Sequence, residues 1–421
     1  MQTIRGFRDI LPEQIRLWQK VEKLAFELFE AFGYREIRIP VLEKTQLFAR
    51  SIGEATDIVE KEMYTFADRK GDKLTLRPEA TASICRAYIQ HKMHASDPVR
   101  KFYMTGPMFR RERPQKGRYR QFYQIDAEVF GIASALVDCE LIFLQHELFK
   151  RLGLTGLSAH INSLGCPECR PDFTRSLLDF LGEKKHALCD ICQRRMIKNP
   201  MRILDCKVQT CQTALTGAPA TVDHLCPACE DHFNTVKTTL QKQKVDFFID
   251  KSLVRGLDYY TRTAWEIQTT SLGAQSAVAG GGRYDGLVQE LGGPPTPAIG
   301  FAIGFDRLVE VMEQLEQIPA EPGPDLFIVA LGEPAMAAAY HLSCELNCSG
   351  FQAVTDFRGK SLKALMKRAD KLNARHVLIA GQTEMAENQV IVRNMATREQ
   401  VFIPMDHLVP ALKKILQTDN G

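Results

Sequence analysis

No stretch of this 421-residue sequence is apolar for long enough to cross a bilayer. Its opening MQTIRGFRDILPEQ lacks the apolar core of a secretory signal. A membrane protein and an exported one are therefore not expected, and the cytoplasm is the expected compartment. Net charge is also scarce: 54 Lys and Arg against 51 Asp and Glu leave +3. That is too little for wholesale binding of a polyanion, so any nucleic acid must meet a local patch. There is no internal repeat, no low-complexity tract, and no GxGxxG after a strand that would announce a dinucleotide site.

What is present is the makeup of a soluble globular protein, 45% apolar and 25% charged, in a chain too long for one core. The twelve cysteines are expected to be reduced in the cytosol. Eight of them fall between Cys166 and Cys229, with Cys85, Cys139, Cys344 and Cys348 scattered, so residues ~160–240 are marked as a separate module.

Leu17, Val21, Leu24, Leu28 and Phe32 recur at helical spacing before Gly33, which predicts a helix over 13–32. YREIRIPVLE reads as a strand interrupted at Pro40, and KLTLRPEAT as a strand ending at Pro78 with a helix from about Glu79. KFYMTGPMFRRE and RYRQFYQIDAEVFG alternate on either side of a charged loop, predicting a hairpin followed by a helix from about Ala135 to Leu152. VDFFIDKSLVRGLDYYTRTAWEIQT is expected to form antiparallel strands, so a large antiparallel sheet with flanking helices is predicted. IPAEPGPD, residues 318–325, is a linker. Beyond it DLFIVALG, FQAVTDF and RHVLIAG alternate with helical stretches 334–348 and 361–373, predicting a small α/β domain with a mostly parallel sheet.

The hairpin loop carries Arg110, Arg111, Arg113, Lys116, Arg118 and Arg120 within eleven residues. Arginine offers a planar fork of donors to phosphate oxygens and does not deprotonate. A solvated surface loop is the alternative reading. Two neighbours favour a site. Glu112 lies inside the run, and Gln124, Asp126 and Glu128 alternate on one face of the outgoing strand. A carboxylate-bearing face beside a phosphate-loving loop suits a nucleotide plus a cationic or amine-bearing ligand.

GPMFRRERPQKGRYRQFYQIDAEVFG resembles motif 2 of the class II aminoacyl-tRNA synthetases, in its histidyl-tRNA synthetase form. VRGLDYYTRTAWE and AGGGRYDGL resemble that family's two histidine signatures, GFAIGFDRL resembles motif 3, the stretch around Pro40 resembles motif 1, and TLRPEAT matches too. The motifs stand in the family's order along essentially the whole chain. The resemblance implies an α+β fold: an antiparallel synthetase core over 1–320, interrupted by the Cys-rich insertion at 160–240, and an α/β anticodon-binding domain over 325–421. It implies ligation of L-histidine to histidine tRNA through a histidyl-adenylate, with ATP as substrate, Mg²⁺ as cofactor and a homodimer built on motif 1. The substrate's own carboxylate is the nucleophile, so the lack of a Ser/His/Asp arrangement is expected.

Carried over by position, Arg110 holds the α-phosphate, Glu112 the adenine amine and Arg307 the γ-phosphate, with Arg118 in the ATP site. Arg255 bridges the histidine carboxylate and the α-phosphate; with Arg110 it is the expected catalytic group. Glu79, Thr81 and Gln124 take the α-amino group. Glu128 and Tyr260 read the imidazole, Tyr259 lies alongside, and Tyr284 closes the pocket. The loop tip, with Arg113, Gln115, Lys116 and Arg120, meets the tRNA acceptor end. A surface ion pair is the plain reading of Arg255, and packing on a strand that of Tyr259 and Tyr260, of which one would face away. Arg358, Lys360, Lys363, Lys367, Arg368, Lys371 and Arg375 lie within eighteen residues. They form either a solvated helix face or, as the resemblance implies, a tRNA-binding surface.

Cys166-x-x-Cys169 and Cys189-x-x-Cys192 are nineteen residues apart, a zinc-ribbon spacing. Cys206 and Cys211 with Cys226-x-x-Cys229 would make a second quartet. Structural zinc and a set of reduced, partly buried thiols are the two readings; catalytic zinc is not, since four thiolates leave no open position. Two rival functions fit the sequence less well. A regulatory paralogue that serves ATP phosphoribosyltransferase would lack the C-terminal domain and degrade Arg255, Glu112 and Arg307. A zinc-dependent RNA-binding protein leaves RGLDYYT without purpose.

Overall fold

Pro12–Ala31 folds as one helix, opened by a proline whose missing N–H would be unpaired there in any case. It ends at Gly33, held at φ 80°. Leu17, Trp18, Val21, Ala25, Leu28 and Phe29 form its buried stripe. Each large member contributes roughly 1.5–3 kcal/mol by leaving water.

The computed structural model describes residues 1–53, 56, 58–113, 117–269, 277–315 and 323–418. The chain divides into two units, Met1–Ile318 and Pro319–Gly421.

In the first unit an eight-stranded sheet runs in the order Arg35–Glu36, Arg100–Phe109, Gln121–Phe130, Ala298–Gly304, Ala277–Arg283, Thr261–Thr269, Leu157–Ser163, Phe247–Ile249. Only the two outermost pairings are parallel; the interior is antiparallel, as the short hairpin-like spacing predicts. The hairpin registers Phe109 opposite Gln121 at its loop end and Arg100 opposite Phe130 at its base. Side-chain alternation divides the Gln121–Phe130 strand. Ile125, Ala127 and Val129 pack with the helices Pro12–Ala31, Ala135–Arg151 and Pro227–Lys242. Gln124, Asp126 and Glu128 are left on the opposite face, beside the helix Thr81–Gln90.

The stretch after Ser163 builds a small helical body with its own core of Phe173, Leu177, Leu181, Leu188 and Ile203 around three cysteines. Its final helix, Pro227–Lys242, places Phe233, Val236 and Leu240 in the main core instead.

Two expectations are corrected. Residues 250–260 form a loop, not a strand, because the strand Phe247–Ile249 pairs parallel to Leu157–Ser163 and leaves the residues after Ile249 without a hairpin partner. In the second unit the sheet order is Ala353–Thr355, Leu326–Ala330, His376–Ala380, Gln389–Asn394, Gln400–Pro404. Only the first three strands are parallel; the last two form an antiparallel hairpin, an addition to the parallel sheet expected.

Candidate active site

The loop leaving Phe109 turns its first arginine inward. Arg110 Nε donates to the Pro78 carbonyl at 2.9 Å, and its guanidinium lies 5.3 Å from the Phe122 ring centre. Glu112 lies 3.8 Å from Arg110 and 3.3 Å from Arg118. These residues join Arg255 and Arg307 around a cleft of about 310 Å³, walled by the Ala277–Gly280 backbone and floored by Phe122, Tyr123 and Gln124. Arg307 stands in the first turn of the helix Phe305–Gln314. Burial, and then the nearby Arg118 cation, work against its charge. Four guanidinium groups around one cleft repel each other, and an anion between them relieves that repulsion.

Arg113 is exposed; Gln115 and Lys116 lie outside the described residues. Arg120 is tied to the N-terminal segment: its amide donates to Gly6 O at 2.8 Å and its guanidinium to Arg5 O and Glu112 O at 3.4 Å.

Arg255 Nη1 donates to Glu266 Oε1 at 2.7 Å, and its guanidinium lies 5.5 Å from the Tyr260 ring centre. Burial opposes its charge, but Tyr260 and Glu266 outweigh the effect and hold it protonated. A Cβ on Gly280 would come within 2.5 Å of Arg255 Nη1, and one on Gly282 within 2.7 Å of Tyr260 Cδ1. Those glycines let the strand pass beneath both groups.

Next to this cleft, beside the Arg255–Tyr260 loop, is a buried cluster of polar side chains. Glu128 is 1% exposed. Thr81 Oγ1 donates to its Oε1 at 2.6 Å and the Tyr284 hydroxyl to its Oε2. Burial pushes its carboxyl up to about 8, against the pull of those two hydrogen bonds, and the Glu79 carboxylate adds to the rise. Glu79 accepts from the Ala82 amide at 3.1 Å, at the start of the helix Thr81–Gln90. Burial also raises Tyr259, Tyr260 and Tyr284, so all three remain hydroxyl donors. The rings of Tyr259 and Tyr260 are 4.7 Å apart, and that of Tyr284 is 5.6 Å from Tyr259. Because the pair sits in a turn, strand alternation does not apply and neither tyrosine faces away. Gln124 Oε1 is buried without a hydrogen-bond partner, an acceptor awaiting a donor.

A Cβ on Gly300 would overlap Glu128 Oε2. Gly300→Ala is therefore expected to displace that carboxylate and raise the KM of any substrate that Glu128 contacts by about 10²-fold. Steady-state kinetics with normal thermal unfolding checks this.

Three contributors are not among the residues the sequence singles out. Arg77, 3% exposed, donates to Ile39 O at 2.8 Å and Pro107 O at 3.0 Å, lashing the stretch around Pro40 to the hairpin. Glu266 faces Arg255 across the cleft. Asp138 accepts from Arg283 Nη2 at 2.7 Å and from His232 Nε2 at 3.0 Å, fixing the residue before Tyr284. Alternation along TRTAWEIQT could have placed Glu266 on the pocket face; the other two depend on partners far away in sequence.

The cysteines do form two quartets, but not those expected. Cys166, Cys169, Cys226 and Cys229 come together, as do Cys189, Cys192, Cys206 and Cys211, with all sulfurs in a quartet within 4.8 Å of one another. The strand Leu157–Ser163 leaves the sheet where the helix Pro227–Lys242 returns to it, so the first and last pairs meet and the middle four are left together. The separations Cys166–Cys169, Cys166–Cys226 and Cys189–Cys206 are 3.5, 3.8 and 4.0 Å. A tetrahedral zinc with sulfur at about 2.3 Å has edges of about 3.8 Å. Burial raises the Cys166 and Cys189 thiols, but amide donors and neighbouring thiols outweigh it and leave both at about 7.

In the second unit, Arg358 and Arg368 are bound to Asp356 at 2.6 and 3.3 Å, and Arg375 to Asp325 at 3.2 Å. Lys360 is exposed. So are Lys363, Lys367 and Lys371, which line one stripe of the helix Leu362–Lys371.

An antiparallel sheet that sets an arginine-lined cleft beside a buried carboxylate, with a further arginine on the helix after its central strand, defines a class II aminoacyl-tRNA synthetase. A histidyl-tRNA synthetase family model matches residues 6–308 and an anticodon-binding-domain model residues 325–415. The chain belongs to the histidyl-tRNA synthetase family. The histidine–tRNA ligase of Desulforapulum autotrophicum is 64% identical over 419 residues, covering 100% of this chain and 99% of that protein. The apo S. aureus histidyl-tRNA synthetase superposes with a TM-score of 0.84 at 36% identity, over 98% of this chain and 100% of that one. A Bacillus halodurans protein described as an ATP phosphoribosyltransferase regulatory subunit/histidyl-tRNA synthetase shares the fold, with a TM-score of 0.64 at 21% identity over 90% of this chain and 98% of that one.

Proposed function

We propose that the cleft activates L-histidine with ATP and that the chain then passes the histidyl group to the 3′ end of histidine tRNA. The observation that carries this reading is buried Glu128, held by Thr81 and Tyr284 beside the unpaired Gln124 oxygen, on the same hairpin that presents Arg110. That cluster suits an imidazole and an ammonium; the adjoining cleft suits a triphosphate.

In the reaction, a histidine carboxylate oxygen bonds to the α-phosphorus, the bond to the bridging oxygen breaks, and pyrophosphate leaves with the electron pair. Arg110 and Arg255 meet the charge that builds on the α-phosphate oxygens, so most of the acceleration is positioned positive charge. Arg307 and Arg118 take the outer phosphates and Glu112 accepts from the adenine amine. Glu79, Thr81 and Gln124 receive the α-amino group. Glu128 and Tyr260 read the ring, and Tyr259 and Tyr284 wall it. Arg113, Gln115 and Lys116, with Arg120 fastening the loop's base, meet the tRNA acceptor end, and the Lys363–Lys367–Lys371 stripe meets RNA phosphates. Glu266 offers oxygens for Mg²⁺, which takes one or two carboxylates beside phosphates and would neutralise phosphate charge here. The two sulfur quartets suit structural zinc.

A homodimer is supported by the two-residue edge strand Arg35–Glu36 and by Val41 and Leu42, exposed at 36 and 38% beside it. A cytoplasmic setting is supported by twelve unpaired thiols and by the lack, among the described residues, of any helix long and apolar enough to cross a membrane.

The test is ATP–pyrophosphate exchange with each standard amino acid and Mg²⁺, without tRNA. Exchange with histidine alone is expected; exchange with another amino acid, or none with histidine, sinks the reading. Run against pH, the same assay probes Glu128. With Glu128 at about 8 and free imidazole near ~6.5, one proton sits on Glu128 between those values and the bound pair shares it. Above that window binding must take up a proton; below it, histidine must release one. Histidine KM is therefore lowest inside the window and rises on each side, approaching about tenfold per pH unit. Glu128→Gln loses the alkaline limb.

A further inference from the structure

The quartet of Cys166, Cys169, Cys226 and Cys229 stands at the neck of the insertion, and both of its halves are wired to the histidine pocket. On the outgoing side the wiring is backbone. Leu164 N donates to Arg262 O at 2.7 Å, and Arg262 N donates to Gly165 O at 2.9 Å. Those bonds hold Arg262 at a left-handed φ of 48°, which a non-glycine residue keeps only where its surroundings fix it. Arg262 is two residues past Tyr260. Arg170, directly after Cys169, adds a side-chain link: its Nη2 donates to the Tyr260 carbonyl and its Nε to Leu164 O at 3.5 Å.

On the returning side, Cys226 N donates to Cys169 Sγ at 3.1 Å, and the Cys226-x-x-Cys229 pair opens the helix Pro227–Lys242. Less than a turn beyond Cys229, His232 bonds Asp138 at 3.0 Å, and Asp138 holds Arg283, the neighbour of Tyr284, at 2.7 Å. The segments that close on Glu128 from two sides are thus anchored through the same four sulfurs. The second quartet differs. It lies in the insertion's own core, and the insertion ties that side to the pocket loop through Asn199, bonded to Asp258 at 2.7 Å.

We propose that the neck quartet is a metal-dependent clamp: a thiophilic divalent cation of the zinc type fixes the Tyr259–Tyr260 and Arg283–Tyr284 segments and so sets histidine affinity, while the second quartet's cation holds the insertion's fold. The inference rests on reading the cluster around Glu128 as the histidine pocket. Binding displaces thiol protons to solvent and changes no oxidation state.

The test uses the full chain, purified under reducing conditions with Zn²⁺ supplied. Metal is counted by elemental mass spectrometry, and KM for histidine and ATP comes from pyrophosphate exchange. The parent is expected to hold two zinc ions, one per quartet. Cys169→Ser holds one, and its histidine KM rises about tenfold, far more than its ATP KM. Cys192→Ser also loses one zinc but moves histidine KM several-fold less. Arg170→Ala keeps both ions and raises histidine KM by a similar factor to Cys169→Ser, with Arg170→Lys recovering part of the loss; this variant decides the matter if Cys169→Ser does not fold. The clamp is overturned if Cys169→Ser loses its zinc, or Arg170→Ala is made, with histidine KM moving less than about twofold. A zinc-free parent with an ordinary histidine KM overturns it as well. A parent that shows no histidine exchange overturns the pocket reading instead, and does so before any variant is made.

Discussion

Replacing Arg255 by alanine is expected to lower histidine-dependent pyrophosphate exchange by about 10³-fold or more, with tRNA affinity changed by less than about threefold. On the proposed reading this guanidinium touches both reactants, since it lines the arginine cleft and lies 5.5 Å from the Tyr260 ring centre. Its loss also takes from Glu266 the cation 2.7 Å away, so more negative charge faces the phosphates. Two effects then add: stabilising charge disappears and repulsive charge grows. Arg255→Lys restores the charge but not the planar fork, and should fall between parent and alanine. Filter binding of histidine tRNA beside exchange kinetics separates the steps. If tRNA affinity fell in proportion to exchange, the role given to Arg255 would be wrong.

The second large effect concerns stability. Asp138 and Arg283 are both fully buried, and Asp138 takes three hydrogen bonds from Arg283 and one from His232. Burial opposes the Asp138 charge, but His232 and Arg283 overcome it and hold the carboxyl below its usual range. Asp138→Ala takes its nearest anion from a buried guanidinium and leaves it Asp285 at 3.2 Å as counter-charge, at a cost of about 3 kcal/mol. Urea unfolding followed by tryptophan fluorescence suits this, since Trp18 and Trp265 both lie in the core of the same unit. The double change Asp138→Ala with Arg283→Met removes the buried cation and should recover much of the loss. A single variant within about 1 kcal/mol of the parent would contradict the account.

The parts of the site that the sequence made legible are those that depend on neighbours along the chain. Alternation in RYRQFYQIDAEVFG puts Gln124 and Glu128 on one face, and they lie together there. The helix over 13–32, read from its period, and the strands of the second unit, read as short apolar runs between helical stretches, are local in the same way. Where a residue's role depends on a distant partner, local pattern has nothing to offer. Arg77 reaches Ile39 and Pro107, and Asp138 reaches Arg283 and His232. The thiol pairing is set by where one strand leaves the sheet and one helix rejoins it, which spacing does not encode. The apolar residues of 247–269 recur every few positions and read as strand through Tyr259 and Tyr260; the parallel pairing of Phe247–Ile249 shows where that pattern is broken. The hairpin of Gln389–Asn394 and Gln400–Pro404 is a different case, since its β-branched and aromatic runs are plain in QVIVRN and QVFIP once the two are set side by side.

The strand order also fixes a timetable for synthesis. Gln121–Phe130 pairs with Ala298–Gly304, and roughly 170 residues separate their ends, about 10–35 s of elongation. During that interval the half-built sheet shows a raw edge while the insertion is being made. The residues set along that edge include Gln124, Asp126 and Glu128, which keep one of its faces wet and poorly suited to pairing with another nascent chain. The carboxylate later buried against a ligand first serves as a guard on an unfinished protein.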